Sequence, residues 1–282
     1  MFRLYKKIRE TLRVINNINK TIVANWSNSC ETKNNWGDSI NSLLINKISG
    51  KEVIHVNNII NLGLVSVYSV VGSTLDNSSK RNLEIWGSGF KKETSRMKRL
   101  PKKVHAVRGP LTRKRLIELG VKCPAVYGDP ALLCPEYLPP NSNIKKYNLG
   151  IIPHYIDKEN IWLQDIKLKY DDIIIIDIQS GIQTVIDLVN ECNQIASSSL
   201  HGLILADALS VPSRWLRFSD KIVGGCFKFM DYFLSVDRKE LNPMVISKEI
   251  NISDIGPFFK GNITRGMLDG LREACPFPKI IK

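Results

Sequence analysis

Apolar residues run along this chain in short blocks, each closed by small or polar residues. Residues 64–71 (LVSVYSVV) stop at Gly72-Ser73-Thr74, residues 82–86 (NLEIW) at Gly87-Ser88-Gly89, and residues 104–107 (VHAV) at Arg108-Gly109-Pro110. Short apolar runs bounded by turn formers predict buried strands. Residues 110–119 predict a helix, with proline in its first turn and Gly120 just beyond its end. Another helix is predicted over 40–48, and a further strand over 121–127 that ends in Gly128-Asp129-Pro130. Three prolines and the polar run NSNIKK make 134–147 a linker. After it, strands are predicted at 149–152, 173–178 and 195–196, with helices at 184–192 and along LILADAL (203–209). Strand–helix alternation on both sides of a linker predicts two α/β units with mostly parallel sheets. Their expected limits are 1–140 and 148–261, with 262–282 crossing back to the first unit.

Size and composition narrow the class. The chain has 282 residues, 43% hydrophobic and 24% charged, which excludes a disordered or fibrous protein. A chain this long buries roughly three-quarters of its unfolded surface and needs no disulfide or metal clip. Its six cysteines form no C-x-x-C pair and no zinc-like spacing with histidine, so no metal is expected. The beginning, MFRLYKKIRETLRVI, lacks the apolar core of a signal peptide, and no stretch approaches the roughly 20 apolar residues of a membrane span. The expectation is a cytoplasmic protein, with Asn-x-Ser/Thr triplets at Asn25, Asn77, Asn251 and Asn262 as chance matches.

Charge adds a partner. The net charge of +13 is concentrated in residues 1–20 and 91–115, leaving the remainder near neutral. An anionic partner is expected: nucleic acid, an acidic membrane or a phosphorylated small molecule. The 91–115 block has no interleaved aromatics and no nucleic-acid-binding signature, so nucleic acid is set aside. In residues 1–20, Met1, Tyr5, Ile8, Leu12 and Ile15 share a helical face, with Arg3, Lys6, Lys7, Arg9 and Arg13 around them. That helix either packs on its domain or lies on an anionic membrane, which would make residues 1–20 a peripheral contact.

Ligands of open parallel sheets bind beyond the carboxyl ends of the strands. Five such ends are rich in small and polar residues: Gly72-Ser73, Trp86–Gly89, Arg108-Gly109, Gly128-Asp129 and Ser197–Gly202. Small residues let backbone N–H groups approach an anion. No Walker P-loop or dinucleotide fingerprint accompanies them. His201, in a first helical turn after three serines, is either a proton donor that charges when an anion binds or a histidine satisfied by a carbonyl. Arg108 is either a bidentate anion ligand or an exposed arginine of a basic run. Asp38, in the run Asn34–Ser39, reads on its own as a helix cap. His154 follows the strand that opens the second unit and faces the cleft if that strand ends there. His55 and His105 read as structural. Phe227, Phe229, Tyr232 and Phe233 have the spacing of a core-facing helix.

The ordered set NNWGDSINSLL, VVGSTL, WGSGF, VRGPLT, YGDPALL, GIIPHY and SSSLHGLILADAL resembles the polysaccharide pyruvyl transferase family over about residues 33–238. The resemblance implies an α/β fold of two Rossmann-like, GT-B-like domains with mostly parallel sheets facing across a cleft. It implies transfer of pyruvate from phosphoenolpyruvate onto a sugar of an exopolysaccharide, capsule or cell-wall glycan, as a ketal, with release of phosphate. Phosphoenolpyruvate is then a co-substrate, and no cofactor or metal is implied. The acceptor is a glycan, free or lipid-linked. Matched residue by residue, it makes His201, Asp38 and Arg108 catalytic. Beside these matched positions, the candidates for donor binding are Arg108, Ser198, Ser199, His201, Gly202, Gly87 and Ser88, and those for acceptor binding are Asn35, Trp36, Gly37, Ser73 and His154. One departure stands out: many members carry arginine where this chain has Ser199. A nucleotide-sugar glycosyltransferase of similar architecture and a non-catalytic scaffold for glycan synthesis are the competing readings.

Overall fold

A computed structural model describes residues 2–30, 34–222 and 224–278 of the chain; Met1, counted above on the first helical face, lies outside them. The first half opens with α1 (Phe2–Asn16), β1 (Thr21–Asn25), α2 (Trp36–Ser49) and β2 (Glu52–His55). It continues with β3 (Val67–Ser69), β4 (Leu83–Trp86), β5 (Lys103–Ala106), α3 (Pro110–Glu118) and the short α4 (Cys134–Tyr137). The second half contains β6 (Tyr147–Ile152), α5 (Ile161–Lys169), β7 (Ile173–Ile175), α6 (Ile182–Asn190), β8 (Cys192–Ser197) and α7 (Leu200–Ala208). After these come β9 (Ser213–Arg217), α8 (Phe227–Ser235), β10 (Met244–Val245) and α9 (Arg265–Glu273).

Two five-stranded parallel sheets result, ordered β2-β1-β3-β4-β5 and β10-β9-β8-β6-β7. Numbered within its own half, the second sheet has the same strand order as the first. Each half is therefore a Rossmann-like winding whose strand order turns back between its first and third strands, the chain reversal of that half. In such sheets, those reversals open the crevices that receive ligands.

The halves share one core. Trp36, at the start of α2, donates its backbone N–H to Ile178 O at 3.0 Å and its indole N–H to Ile182 O at 3.2 Å. Around it, Ile40, Leu44, Ile186 and Leu203 belong to a single buried cluster drawn from both sheets. Helix α9 lies on the first half: Trp86 Nε1 donates to Leu271 O at 2.9 Å, and Arg272 pairs with Glu136. The Phe277 ring meets Tyr68 and Trp86 edge-on. Among the described residues, no helix is long and apolar enough to cross a membrane.

The sequence expectations hold for several strands and shift for others. The expected strand over 121–127 reduces to one bridge between Val107 and Tyr127, because Pro124 removes a ladder donor in its middle. The block at 64–71 keeps only Val67–Ser69 as strand, while Leu64 remains solvent-exposed. Strands β1, β2, β9 and β10 went unread, since stretches such as TIVAN and SRWLR carry too short or too mixed a pattern. Phe229, Tyr232 and Phe233 are buried, as core spacing implied.

Candidate active site

The two chain reversals meet. Beyond β1 comes Ser27, and beyond β3 the loop with Ser73 and Thr74; beyond β6 comes His154, and beyond β8 Ser199 and His201. These residues, with Asn35 and Asp38 from α2, Lys91, and Lys228 from α8, line one cavity of about 200 Å³. Its walls come from both halves.

Local bonds fix the rims. Asn41 ties α2 to the Ser73 loop, accepting from Val71 N at 2.9 Å and donating to Val71 O at 3.3 Å. Ser88 Oγ donates to Gly72 O at 2.8 Å and meets Thr74 Oγ1 at 2.8 Å. In the second half, the His154 N–H donates to Ser198 Oγ at 2.8 Å, and Ser197 Oγ accepts from Ser199 N at 3.0 Å. The serines thus brace the ends of β6 and β8 and do not cap α7, whose N-cap residue, Ser199, makes no side-chain cap bond. Gly202 is a packing glycine: a Cβ there would crowd Ser197 and Ile152.

Asn35, not Asp38, caps α2, its side chain accepting from Gly37 N at 3.2 Å. Asp38 sits one turn further on, where it accepts from Ser27 N at 3.2 Å and faces the cavity. Burial pushes its carboxyl up to about 7, against the pull of the Ser27 N–H and of Lys91 and Lys228. The His201 imidazole packs on Gly37, where a Cβ would overlap the ring, and a Cβ at Gly72 would only just touch the ring on its Nε2 side. Its Nε2 is buried with no hydrogen-bond partner among the described residues. Burial first, then the positive charges of Lys228 and Arg108 and the nearby His154, lower its pKa to about 3. His154 is lowered to about 3 by burial and Lys228, and its ring lies 4.4 Å from that of Tyr155. Burial, Arg108 and Lys91 bring Lys228 down to about 8.

Arg108 differs from its expected place. Its side chain is fully buried beneath the cavity rather than in its wall. Nε donates to Asp231 Oδ2 at 3.0 Å, one terminal nitrogen to Phe90 O at 2.6 Å, and the other to Ser73 Oγ at 2.6 Å. Because Ser73 Oγ accepts from the guanidinium, its own hydroxyl proton is available to the cavity. Gly87 and Ser88 also lie behind the wall; Gly87 packs against Pro130, leaving no room for a Cβ. Asp129 caps the turn at Pro130–Leu133. Of the five small-residue strand ends, two reach the cavity and three build the layer behind it. Trp36 spans the halves and does not line the cavity.

Lys91 and Lys228 are the residues sequence reasoning missed. Lys91 was one of eleven cations in a basic block, and Lys228 a lone lysine in the apolar helix FKFMDYF. Neither carries a motif. His55 and His105 are structural, binding Trp26 O at 3.0 Å and Glu84 at 2.8 Å respectively. Among the described residues no group of three His, Cys, Asp or Glu side chains is placed to hold a metal ion.

Two Rossmann-like halves that enclose a cavity lined by Lys91, Lys228, His154, His201 and Asp38 define the class as an α/β protein of two parallel-sheet halves. Residues 5–220 match the model of the polysaccharide pyruvyl transferase family, and the chain belongs to that family of transferases. The uncharacterized protein L143 of Acanthamoeba polyphaga mimivirus is 30% identical over 239 residues, 79% of this chain and 80% of that protein. The succinoglycan biosynthesis protein ExoV of Rhizobium meliloti (strain 1021) is 31% identical over 179 residues, 60% of this chain. The match covers 52% of ExoV, so the chain spans about half that relative's length.

Proposed function

We propose that the protein transfers pyruvate from phosphoenolpyruvate onto a sugar of a polysaccharide or its precursor, as a ketal, within a GT-B-like arrangement of its two halves. The observation that carries this reading is the convergence of His201, His154, Asp38, Lys91 and Lys228 on one cavity at both chain reversals. Phosphoenolpyruvate bears about three negative charges near neutral pH. Two lysines and the Ser73 hydroxyl polarised by Arg108 suit such a donor, and Lys228 supplies charge where Ser199 does not. ExoV, by its name a succinoglycan biosynthesis protein, supports a glycan acceptor.

In the proposed reaction, a bound trianion raises the proton affinity of His201, which protonates C3 of the enol and leaves C2 electrophilic. Asp38 takes the proton of a sugar hydroxyl as that oxygen attacks C2. A second hydroxyl of the same sugar then attacks C2 as the C2–O bond to phosphate breaks; that hydroxyl's proton returns to His201, and the proton held by Asp38 passes to the departing phosphate. Lys91 and Lys228 balance the charge on the departing phosphate.

The test is phosphate release from phosphoenolpyruvate with a panel of free and lipid-linked hexose acceptors, alongside binding of phosphoenolpyruvate and UDP-sugars followed by thermal shift. Stabilisation by phosphoenolpyruvate and acceptor-dependent phosphate release are expected, the release abolished or cut at least about 100-fold in a folded His201→Ala protein. Stabilisation by UDP-sugars alone would replace this reading with nucleotide-sugar transfer, and a protein inert toward both donors would leave a non-catalytic role.

A further inference from the structure

Helix α1 buries only its inner edge. Thr11 and Val14 pack inward, with Thr11 Oγ1 accepting from Ile60 N at 2.9 Å. The stripe Leu4, Ile8, Leu12 and Ile15 follows helical spacing, and its first three members are exposed at 57%, 42% and 56%. Phe2 and Tyr5 flank it at 83% and 64%. The patch does not stop at the helix. Ile15 borders a shallow groove whose other lip carries Leu62 and Leu64, themselves 51% and 64% exposed. An apolar surface of this kind, on a helix and its supporting loop, marks an interaction site.

Cations surround it. Arg3, Lys6, Arg9 and, on the body of the protein, Lys80 have no carboxylate partner among the described residues. Lys80 and Lys7 lie close enough to repel, and burial and Lys7 together lower the Lys80 pKa. A second copy of this chain would bring two sets of these charges together, whereas an anionic surface would neutralise them.

The direction of the helix also matters. Arg13 pairs with Glu52 at the start of β2, while Thr11 contacts Ile60 beyond the end of that strand. Helix α1 thus runs against the strands. Its apolar first turns continue roughly 13 Å further, toward the end of the sheet where the cavity lies.

From this we infer that α1 and the Leu62–Leu64 loop form a docking surface for an anionic lipid bilayer, with Leu4, Ile8, Leu12 and Leu64 entering the interface and Arg3, Lys6, Arg9 and Lys80 meeting headgroups. The surface stands independently of the transfer reaction, but it would bring the cavity close to an acceptor carried on lipid.

The experiment is co-sedimentation of the full chain with phosphatidylcholine vesicles and with vesicles enriched in phosphatidylglycerol, at low and high salt. Binding to the anionic vesicles alone, weakened by salt, is expected. Leu4→Glu/Ile8→Glu/Leu12→Glu should lower partitioning by at least about tenfold, and Arg3→Glu/Lys6→Glu/Arg9→Glu should remove the lipid preference. These side chains are exposed, so circular dichroism and release of phosphate with a soluble acceptor should match the parent protein. Absence of binding by the parent protein would overturn the inference. So would unchanged binding by the apolar triple variant, or a dimer, seen by sedimentation velocity, that the same substitutions dissociate.

Discussion

The ionisable side chains of the cavity titrate where their surroundings put them, far from the values their residue types suggest. Burial leaves Asp38 near 7 and His201 near 3, a reversal of the usual order of carboxyl and imidazole. If Asp38 receives the acceptor proton, it must be ionised, so kcat/KM for phosphate release should rise as pH climbs through about 7. Asp38→Asn should abolish that limb and lower kcat by about 10²–10⁴-fold; an unaltered profile would assign the limb to another group. Sequence made Asp38 and His201 candidates because motifs mark them. It could not settle their states, since proton affinity depends on neighbours such as Lys228 and Lys91 that no spacing rule connects to them. Asp38 on its own read as a cap, yet Asn35 took that position, leaving the aspartate one turn into the helix and open to the cavity.

Elements carry these groups into register. The start of α2 meets the start of α7, and the contact depends on Gly37, which gives the His201 ring the space a Cβ would occupy. Gly37→Ala should leave the circular dichroism spectrum intact and cost about 1–3 kcal/mol in stability, the usual range for overpacking. Phosphate release should fall at least about tenfold, because the displaced ring bears the proposed proton donor. Full activity in that variant would show that the ring can move without consequence. The elements that were legible, such as β4, β6 and α3, are those with uniform apolar runs or clear end signals. β1 and β9 were hidden because five residues flanked by polar neighbours, or containing two arginines, look the same in a loop as in a sheet.

At the scale of the molecule, the halves are joined by a buried ion pair as well as a common core. Arg108 from the first half meets Asp231 from α8, both side chains wholly excluded from solvent. Asp231 also accepts from Thr112 N at 2.8 Å and Thr112 Oγ1 at 2.7 Å, anchoring the start of α3. Removing one partner strands a buried charge, which typically costs about 3–5 kcal/mol. Asp231→Ala should therefore lower the urea midpoint substantially, and the freed guanidinium should also lose its hold on Ser73. A variant as stable as the parent protein would mean that water or another carboxylate replaces Asp231.

Hydrophobic blocks and their small-residue stops were enough to determine that this chain winds into α/β units with parallel strands, because local periodicity and turn chemistry act over a few residues. The order of motifs was enough to identify the family. Which strand ends face one another, however, was decided only by the tertiary structure: two identical windings set with their chain reversals opposed. That juxtaposition buried Arg108, raised the proton affinity of Asp38, lowered that of two histidines and drew Lys91 and Lys228 into the same cavity. The physical reason is that desolvation and charge–charge interaction depend on distance in space, and residues 38, 91, 154, 201 and 228 are distant along the chain.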